Sequence, residues 1–216
     1  MTRRIRFAGY LPVAICLLFS PLTVHAASLE LTPVVAHLAP LNSQVANIDA
    51  PLVIRQSAST AYGGRLGVWI IPRVAVEAGV LVGSSDIELL GGGGEPLVLG
   101  AQMLQMDLRA RVRLTDPNAT NGLDVIAGIG LSDLGDLLSD VGEDQGIKTP
   151  AKVTGIIGVG GTVAVTDRIH LRFDVEDHIH GANFEIDEDN FGFPIDGRTQ
   201  NDLVVAAGIV IPLWQD

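Results

Sequence analysis

The stretch IHLRFDVEDHIHG, residues 169–181, places large apolar side chains at alternate positions. The apolar row is Ile169, Leu171, Phe173 and Val175, and the polar row between them is His170, Arg172, Asp174 and Glu176. Strict alternation predicts a β-strand, because successive side chains of a strand point to opposite faces. In a soluble protein the charged row would face water and the apolar row would fill a core. The rest of the chain favours the inverse arrangement.

Strand-like segments recur along the whole chain, and no convincing amphipathic helix interrupts them. The apolar rows are about as long as the 9–11 residues that a tilted strand needs to cross a membrane. The predicted strands are residues 29–38, 60–71, 74–83, 97–114, 122–132, 152–166, 168–180 and 202–213. Eight is an even number, as is typical of bacterial outer-membrane barrels made of one chain.

The connections between these segments alternate in length. Short turns are predicted at 72–73, 116–122 and 166–168, and long loops at 44–57, 84–96, 133–150 and 181–201. Short periplasmic turns and long outer loops are the expected layout of an outer-membrane barrel. In the first strand, Pro33 blurs the alternation, which predicts a bulge or an edge position there.

The overall composition agrees with a barrel that crosses a membrane. The mean hydropathy of +0.36 is high for a soluble domain, yet after residue 26 no apolar run reaches the roughly 18 residues that a membrane helix needs. The formal net charge of −11 argues against nucleic-acid binding, which needs a basic face. The length of 216 residues fits a single domain after export.

The N-terminal residues 1–26 are predicted to be a cleaved signal peptide, followed by one barrel domain over residues 27–216. A basic start precedes the short apolar core Leu11–Phe19, and VHA places small residues before a cut between Ala26 and Ala27. Cleavage would remove three arginines and take the formal charge from −11 to −14.

Cleavage would also remove Cys16, the one cysteine in the sequence. The mature chain would then have no thiol. This excludes a disulfide scaffold and any metal site with cysteine ligands.

The polar rows of the strands carry a balanced set of charges. They hold five arginines, Arg65, Arg109, Arg111, Arg113 and Arg172, and five carboxylates, Glu77, Asp107, Asp124, Asp174 and Glu176. Side chains fill the interior of an eight-strand barrel, and buried charges must be paired there. We therefore predict that these ten residues form a lumen charge network, with glycines making room for the long side chains. The Val, Leu and Ile rows then face lipid.

A soluble, calycin-like barrel with the apolar row inside is the alternative fold. Such a protein is expected to expose many lysines. This chain has only Lys148 and Lys152, so composition favours the membrane barrel.

Three stretches carry a resemblance to a known family. The segment YGGRLGVWIIPRVAVEAGVLVGSSD (62–86) is similar to the second hairpin of the small outer-membrane β-barrel domain family, the opacity-protein and OmpA-like eight-stranded barrels. IHLRFDVEDHI (169–179) resembles its penultimate strand, and VVAAGIVIPLW (204–214) its closing strand. The resemblance implies insertion by the barrel-assembly machinery, which reads a C-terminal strand ending in an aromatic residue. Here Trp214 is followed by two further residues.

The loops carry most of the remaining acidic residues, but no recognisable chemical motif. Residues 84–96, 133–150 and 181–202 hold fourteen carboxylates against Lys148 and Arg198. FEIDEDNFGFPIDG (184–197) departs from a calcium loop at its fifth ligand position, where Phe191 stands. His178 and His180 point the same way, and no serine adjoins them as a hydrolase would need.

The sequence thus predicts an integral protein of the Gram-negative outer membrane that is not an enzyme. Catalytic, cofactor and metal residues are not expected, nor is a large diffusion pore. The predicted role is structural or in surface interaction, with outer-membrane lipid, lipopolysaccharide and the barrel-assembly machinery as partners and no identified extracellular partner. A lipid-modifying outer-membrane enzyme and a soluble periplasmic ligand-binding barrel are the alternatives.

Overall fold

Eight long strands make up the protein in a computed structural model that describes residues 28–42, 45–46, 53–90, 97–135, 147–148, 150–166, 169–182, 185–186 and 199–215. The long strands are β1 (Ser28–Pro40), β2 (Ser59–Ile71), β3 (Val74–Leu90), β4 (Leu97–Arg113), β5 (Asn121–Asp133), β6 (Lys152–Thr166), β7 (Ile169–His180) and β8 (Gln200–Gln215). Short strands are Val45–Ala46, Val53–Gln56, Ile147–Lys148 and Glu185–Ile186. The predicted signal peptide and most of the acidic loop residues lie outside the described residues.

Each long strand pairs antiparallel with its neighbours in the chain, and β1 also pairs with β8. The last pairing closes the sheet, from Ser28 opposite Gln215 to Pro40 opposite Asp202. The result is a closed up-and-down barrel. The predicted all-β, eight-stranded antiparallel barrel is confirmed. The described residues contain no helix long and apolar enough to cross a membrane.

The two faces of the barrel wall differ in the way that the sequence predicts. Leu108, Ile129 and Phe173 point outward and are 53%, 64% and 53% exposed. Their neighbours Arg109 and Arg172 point inward and are 1% and 2% exposed. A soluble barrel with its apolar row inside is therefore wrong for this chain. The outer surface over the middle of the strands is apolar, which suits hydrocarbon rather than water.

The ends of the barrel are distinguished by their connections. The turns at Pro72–Arg73, 114–120 and between β6 and β7 lie at the same end as Ser28 and Gln215. We call this the short-turn end and the other the long-loop end.

The structure corrects the predicted loop at 84–96, because β3 runs on to Leu90 and β4 begins at Leu97. Alternation persists in this extension, but its polarity is reversed. Ile87 is fully buried inside, whereas Asp86 points outward and is exposed. Because charged side chains on the outer face are unfavourable in hydrocarbon, this part of the hairpin lies outside the hydrocarbon layer. The short strand Val53–Gln56 pairs with β3 here and widens the sheet.

The first strand is paired on both sides, so the predicted edge position is wrong. A register irregularity does occur in its pairing with β8, between Leu29 and Glu30. In addition, Thr32 and Pro33 have partners on β2 but none on β8. Proline has no N–H to donate, which accounts for the interruption in the ladder.

Candidate functional site

The inner face of the barrel holds all ten residues of the predicted lumen charge network. Nine of them have at most 9% of their surface exposed. The tenth, Arg113, lies at the short-turn end, and its side chain is 17% exposed. They sit on the inner face because strand alternation gives them the same parity as the buried residues beside them.

The network nearest the long-loop end joins β2 and β4 to β7. Arg65 forms ion pairs with Asp174 and with Glu176, the second with Nη2 and Oε1 3.1 Å apart. Arg109 also pairs with Glu176, and its Nε donates to Asp107 Oδ1 over 2.8 Å. Glu176 is therefore paired with two arginines that lie on different strands.

The network nearest the short-turn end crosses the lumen. Arg172 on β7 donates from Nη2 to Glu77 Oε2 on β3 over 3.0 Å. In an eight-strand ring, β3 and β7 lie on opposite sides. Arg111 on β4 completes this part, with Nη1 2.7 Å from Glu77 Oε1 and Nη2 2.8 Å from Asp124 Oδ2. The side chains thus bridge the barrel axis rather than lining its wall.

Glycines opposite the carboxylates provide the space for these side chains. A Cβ at Gly79 would lie 2.6 Å from Asp107 Oδ1, and one at Gly160 would lie 2.3 Å from Asp174 Oδ1. Neither distance is compatible with a real side chain, so close approach requires glycine at both positions. This agrees with the role that the sequence predicts for glycines among the charges.

The long-loop half of the lumen also holds a cluster of buried apolar residues, which was not predicted from the sequence. The cluster consists of Val34, Ala36, Leu38, Ile54, Ala61, Leu81, Ile87, Ala101, Met103, Leu134, Val204 and Ala206. The signal was present in strand parity, because Leu81 has the same parity as Glu77, and Met103 the same as Arg109. The arginine–carboxylate pairs of the network occupy the other half of the lumen.

His178 and His180 point into the lumen and are 2% and 3% exposed. His178 Nε2 lies 2.9 Å from Glu176 Oε2, and His180 Nε2 lies 3.0 Å from Asp202 Oδ2. Gln200 Nε2 donates to the other oxygen of Asp202 over 2.8 Å. These side chains extend the polar network along β7 and β8. In the part of the chain that the structure describes, no group of three or more His, Cys, Asp or Glu is placed to hold a metal ion.

The short-turn end contains a cavity of about 500 Å³, which we call the mouth pocket. Its lining includes Glu30, Trp69, Arg113, Thr162 and His170 together with the turn 117–120. Trp69 is only 5% exposed, and the guanidinium carbon of Arg113 lies 4.5 Å from the centre of its ring. Sequence analysis did not single out Trp69, although its parity places it on the same face as Arg65.

Comparison with known proteins supports the fold and no closer relationship. No family model matches the chain, and no curated protein matches its sequence. The solved structure of the outer membrane protein OprG from Pseudomonas aeruginosa is 13% identical, with a TM-score of 0.63 over 89% of this chain and 98% of that one. The solution structure of outer membrane protein W from E. coli is also 13% identical, with a TM-score of 0.56 over 88% of this chain and all of that one.

The likeness is to small eight-strand barrels of the outer membrane. That fold and the apolar outer face agree with the predicted location, integral in the outer membrane of a Gram-negative bacterium. The short-turn end is then the periplasmic end.

Proposed function

We propose that the chain is a small non-enzymatic outer-membrane barrel with a structural or surface-interaction role and no open axial pore. The observation that carries this proposal is the ion pair between Arg172 and Glu77, which joins opposite walls of the lumen. An ion that passed along the axis would have to displace this pair and the neighbouring Arg111 and Asp124.

The apolar cluster in the long-loop half of the lumen supports the same proposal. Leu38, Leu81 and Met103 each have 1% of their surface exposed, so their side chains pack against one another rather than against water. A hydrated ion entering from this side would have to shed water among apolar groups, which is costly. Both halves of the lumen therefore oppose conduction, one by paired charge and the other by an apolar cluster together with buried, hydrogen-bonded side chains such as His178 and His180.

As part of this proposal, we assign the chain to the opacity-protein and OmpA-like group of eight-stranded barrels. A filled lumen in an eight-strand barrel supports it. Lipid and lipopolysaccharide are the proposed partners of the outer surface, where exposed Tyr62 and Trp214 lie towards opposite ends of the apolar band. Aromatic residues at both interfaces are typical of outer-membrane barrels. The barrel-assembly machinery is the proposed partner during insertion.

A lipid-modifying enzyme is the less favoured function. Such an enzyme would need a histidine that lipid at the rim can reach. His178 and His180 are buried and bonded to Glu176 and Asp202 inside the lumen, which favours a structural role for both.

Conductance of the purified protein in a planar bilayer tests the proposal. We expect no stable current from the wild-type barrel. In the double variant Arg172→Ala with Glu77→Ala, removal of two long side chains from the axis is expected to produce small, stepwise currents.

The matched control is Arg73→Ala, which removes a charge from the exposed turn between β2 and β3 and should leave the bilayer silent. All three proteins are first shown to be folded by their heat-dependent shift on a gel. A steady ohmic current from the wild-type protein would contradict the proposal.

A further inference from the structure

The mouth pocket is open towards the periplasmic end and is large enough for a small organic molecule. Its volume of about 500 Å³ falls within the range of ordinary ligand sites, roughly 300–1,000 Å³. Its side chains come from β1, β2, β4, β6, β7 and β8 and from the turn between β2 and β3, and the turn between β4 and β5 lies across it. We propose that this pocket binds the end of a short peptide that carries a free C-terminal carboxylate.

Arg113 is the group that would bind the carboxylate, because its guanidinium is already fixed in place. Trp69 lies on one face of it at 4.5 Å, and a Cβ on Gly122 would lie 3.1 Å from its Nη2. Its Nε contacts Asp124 Oδ1 at 3.3 Å, and among the described residues this is its one ion pair. The two terminal amino groups remain for a ligand, and two parallel N–H groups suit a carboxylate.

Thr162 gives a second and independent indication of a ligand. Its hydroxyl Oγ1 is buried without a hydrogen-bond partner among the described residues, and the residue is 6% exposed and lines the pocket. A buried hydroxyl without a partner is unfavourable unless something else satisfies it. Thr162 and Arg113 both line the pocket, and a rotation of the Thr162 side chain would bring its hydroxyl to a carboxylate that Arg113 holds.

The remaining lining favours a peptide over a simple anion. Glu30 lies across the pocket, only partly engaged with Arg111 at 3.8 Å, and its carboxylate can accept a bond from a peptide N–H. It also disfavours anions with several charges. Pro72 and Pro212 provide apolar surface for a side chain. Carboxylate, N–H and a small apolar side chain occur together at the end of a peptide.

Two periplasmic sources present such an end, cell-wall peptides that end in D-residues and protein C termini that end in L-residues. The experiment uses the full barrel in detergent micelles with Trp214→Phe, so that Trp69 is the remaining tryptophan of the two in the sequence. Its fluorescence is followed while N-acetyl-L-alanyl-L-alanine, N-acetyl-D-alanyl-D-alanine or the C-terminal amide of either is added.

We expect a saturable change with a free carboxylate and at least about tenfold weaker binding of the amides. Tighter binding of the D-form identifies cell-wall peptides as the source, and tighter binding of the L-form identifies protein C termini. Equal binding of acid and amide, or no saturable change with either acid, would overturn the proposal.

Variants test the two residues that carry the argument. Arg113→Gln and Thr162→Val are each expected to weaken binding about tenfold or more, while Arg55→Gln, exposed at the opposite end, should leave it unchanged. Thr162→Val preserves shape and removes no existing hydrogen bond, so it reports on binding even if Arg113→Gln does not fold. Wild-type affinity in a folded Arg113 or Thr162 variant would overturn the assignment.

Discussion

A guanidinium in the lumen meets carboxylates of two strands at once. Arg109, Arg111 and Arg172 all do so, because the planar fork presents donors along more than one edge. A lysine ammonium in the same place would hold its partners less specifically. Since burial takes both charges out of water, the network fixes the packing of the lumen more than it adds stability.

Breaking the pair across the axis gives a prediction at this scale. Arg172→Met is expected to lower the free energy of unfolding by about 3–5 kcal/mol, because it leaves buried carboxylate charge uncompensated. In Arg172→Met with Glu77→Met, the total loss is expected to be smaller than the sum of the two single losses. The wild type, the two single variants and the double variant form a double-mutant cycle. Urea unfolding in lipid vesicles, followed by the gel shift, measures the free energy of unfolding of all four proteins.

Arg55→Met is the control for this cycle, since Arg55 is exposed and should change stability by less than about 0.5 kcal/mol. Strict additivity of the two lumen substitutions would show that Arg172 and Glu77 do not interact in the folded barrel.

Single residues also show where sequence prediction stopped. The parity of β2 could have placed Trp69 on the inner face, but an interfacial role is the usual expectation for tryptophan in a barrel. The stacking partner Arg113 is 44 positions away in sequence, and only the closed sheet brings the two side chains together. The inward direction of a side chain could be predicted, whereas its partner could not.

Among the elements, the bounds of the eight long strands were predicted well except at the β3–β4 hairpin, and the four short strands, which fall within predicted loops, were not predicted. We recognised lipid-facing strands by apolar side chains on the outer face, and 84–90 does not fit this rule because the outward Ser84 and Asp86 are polar. The extension instead places Ile87 inside and Asp86 outside. The rule assumed hydrocarbon on the outside, and this hairpin continues beyond that layer, so it obeys the pattern of a soluble sheet.

The extension should therefore unfold separately from the barrel. Ile87→Ala removes a fully buried side chain of the apolar cluster, at a local cost of about 2–5 kcal/mol. We expect faster protease cleavage within residues 84–103, with the gel shift of the membrane part unchanged. Mass spectrometry of limited digests locates the cuts.

Asp86→Ala, a change at the exposed neighbour, serves as the control and should leave cleavage at the wild-type rate. If Ile87→Ala instead abolished the gel shift, the extension and the barrel would form one cooperative unit.

At the scale of the whole molecule, two features of the sequence were enough to predict the barrel. They were apolar alternation in eight segments and the absence of helical spans in a chain of high mean hydropathy. The direction of the two rows was predicted from the same features, because an apolar row can face outward and a charged row inward only where lipid surrounds the barrel. The pairing inside could not be predicted, because Arg172 and Glu77 are 95 residues apart and meet only through the register of a closed barrel.

The outward face gives a prediction for the whole molecule. Ile129 is 64% exposed in the middle of β5, and Ile129→Arg is expected to cost about 2–4 kcal/mol in a bilayer. The same arginine at Asp116, in the exposed turn between β4 and β5, removes a carboxylate that accepts an exposed bond from Asn118 N–H and should cost at most about 1 kcal/mol. Unfolding in vesicles measures both.

A stability loss at Ile129 no greater than at Asp116 would mean that hydrocarbon does not cover this face. The inverted arrangement of the two rows would then be wrong for β5.

The interruption at Thr32 and Pro33 affects how such a barrel comes apart. Among the described residues, the pairing of β1 with β8 skips two positions in the middle of the strands, whereas the irregularities between β2 and β3 and between β6 and β7 lie beside their turns. On heating, β1 and β8 are therefore expected to separate before any other pair of neighbouring strands. Backbone amides of β1 and β8 near the proline should accordingly exchange with deuterium sooner than those of β5 and β6.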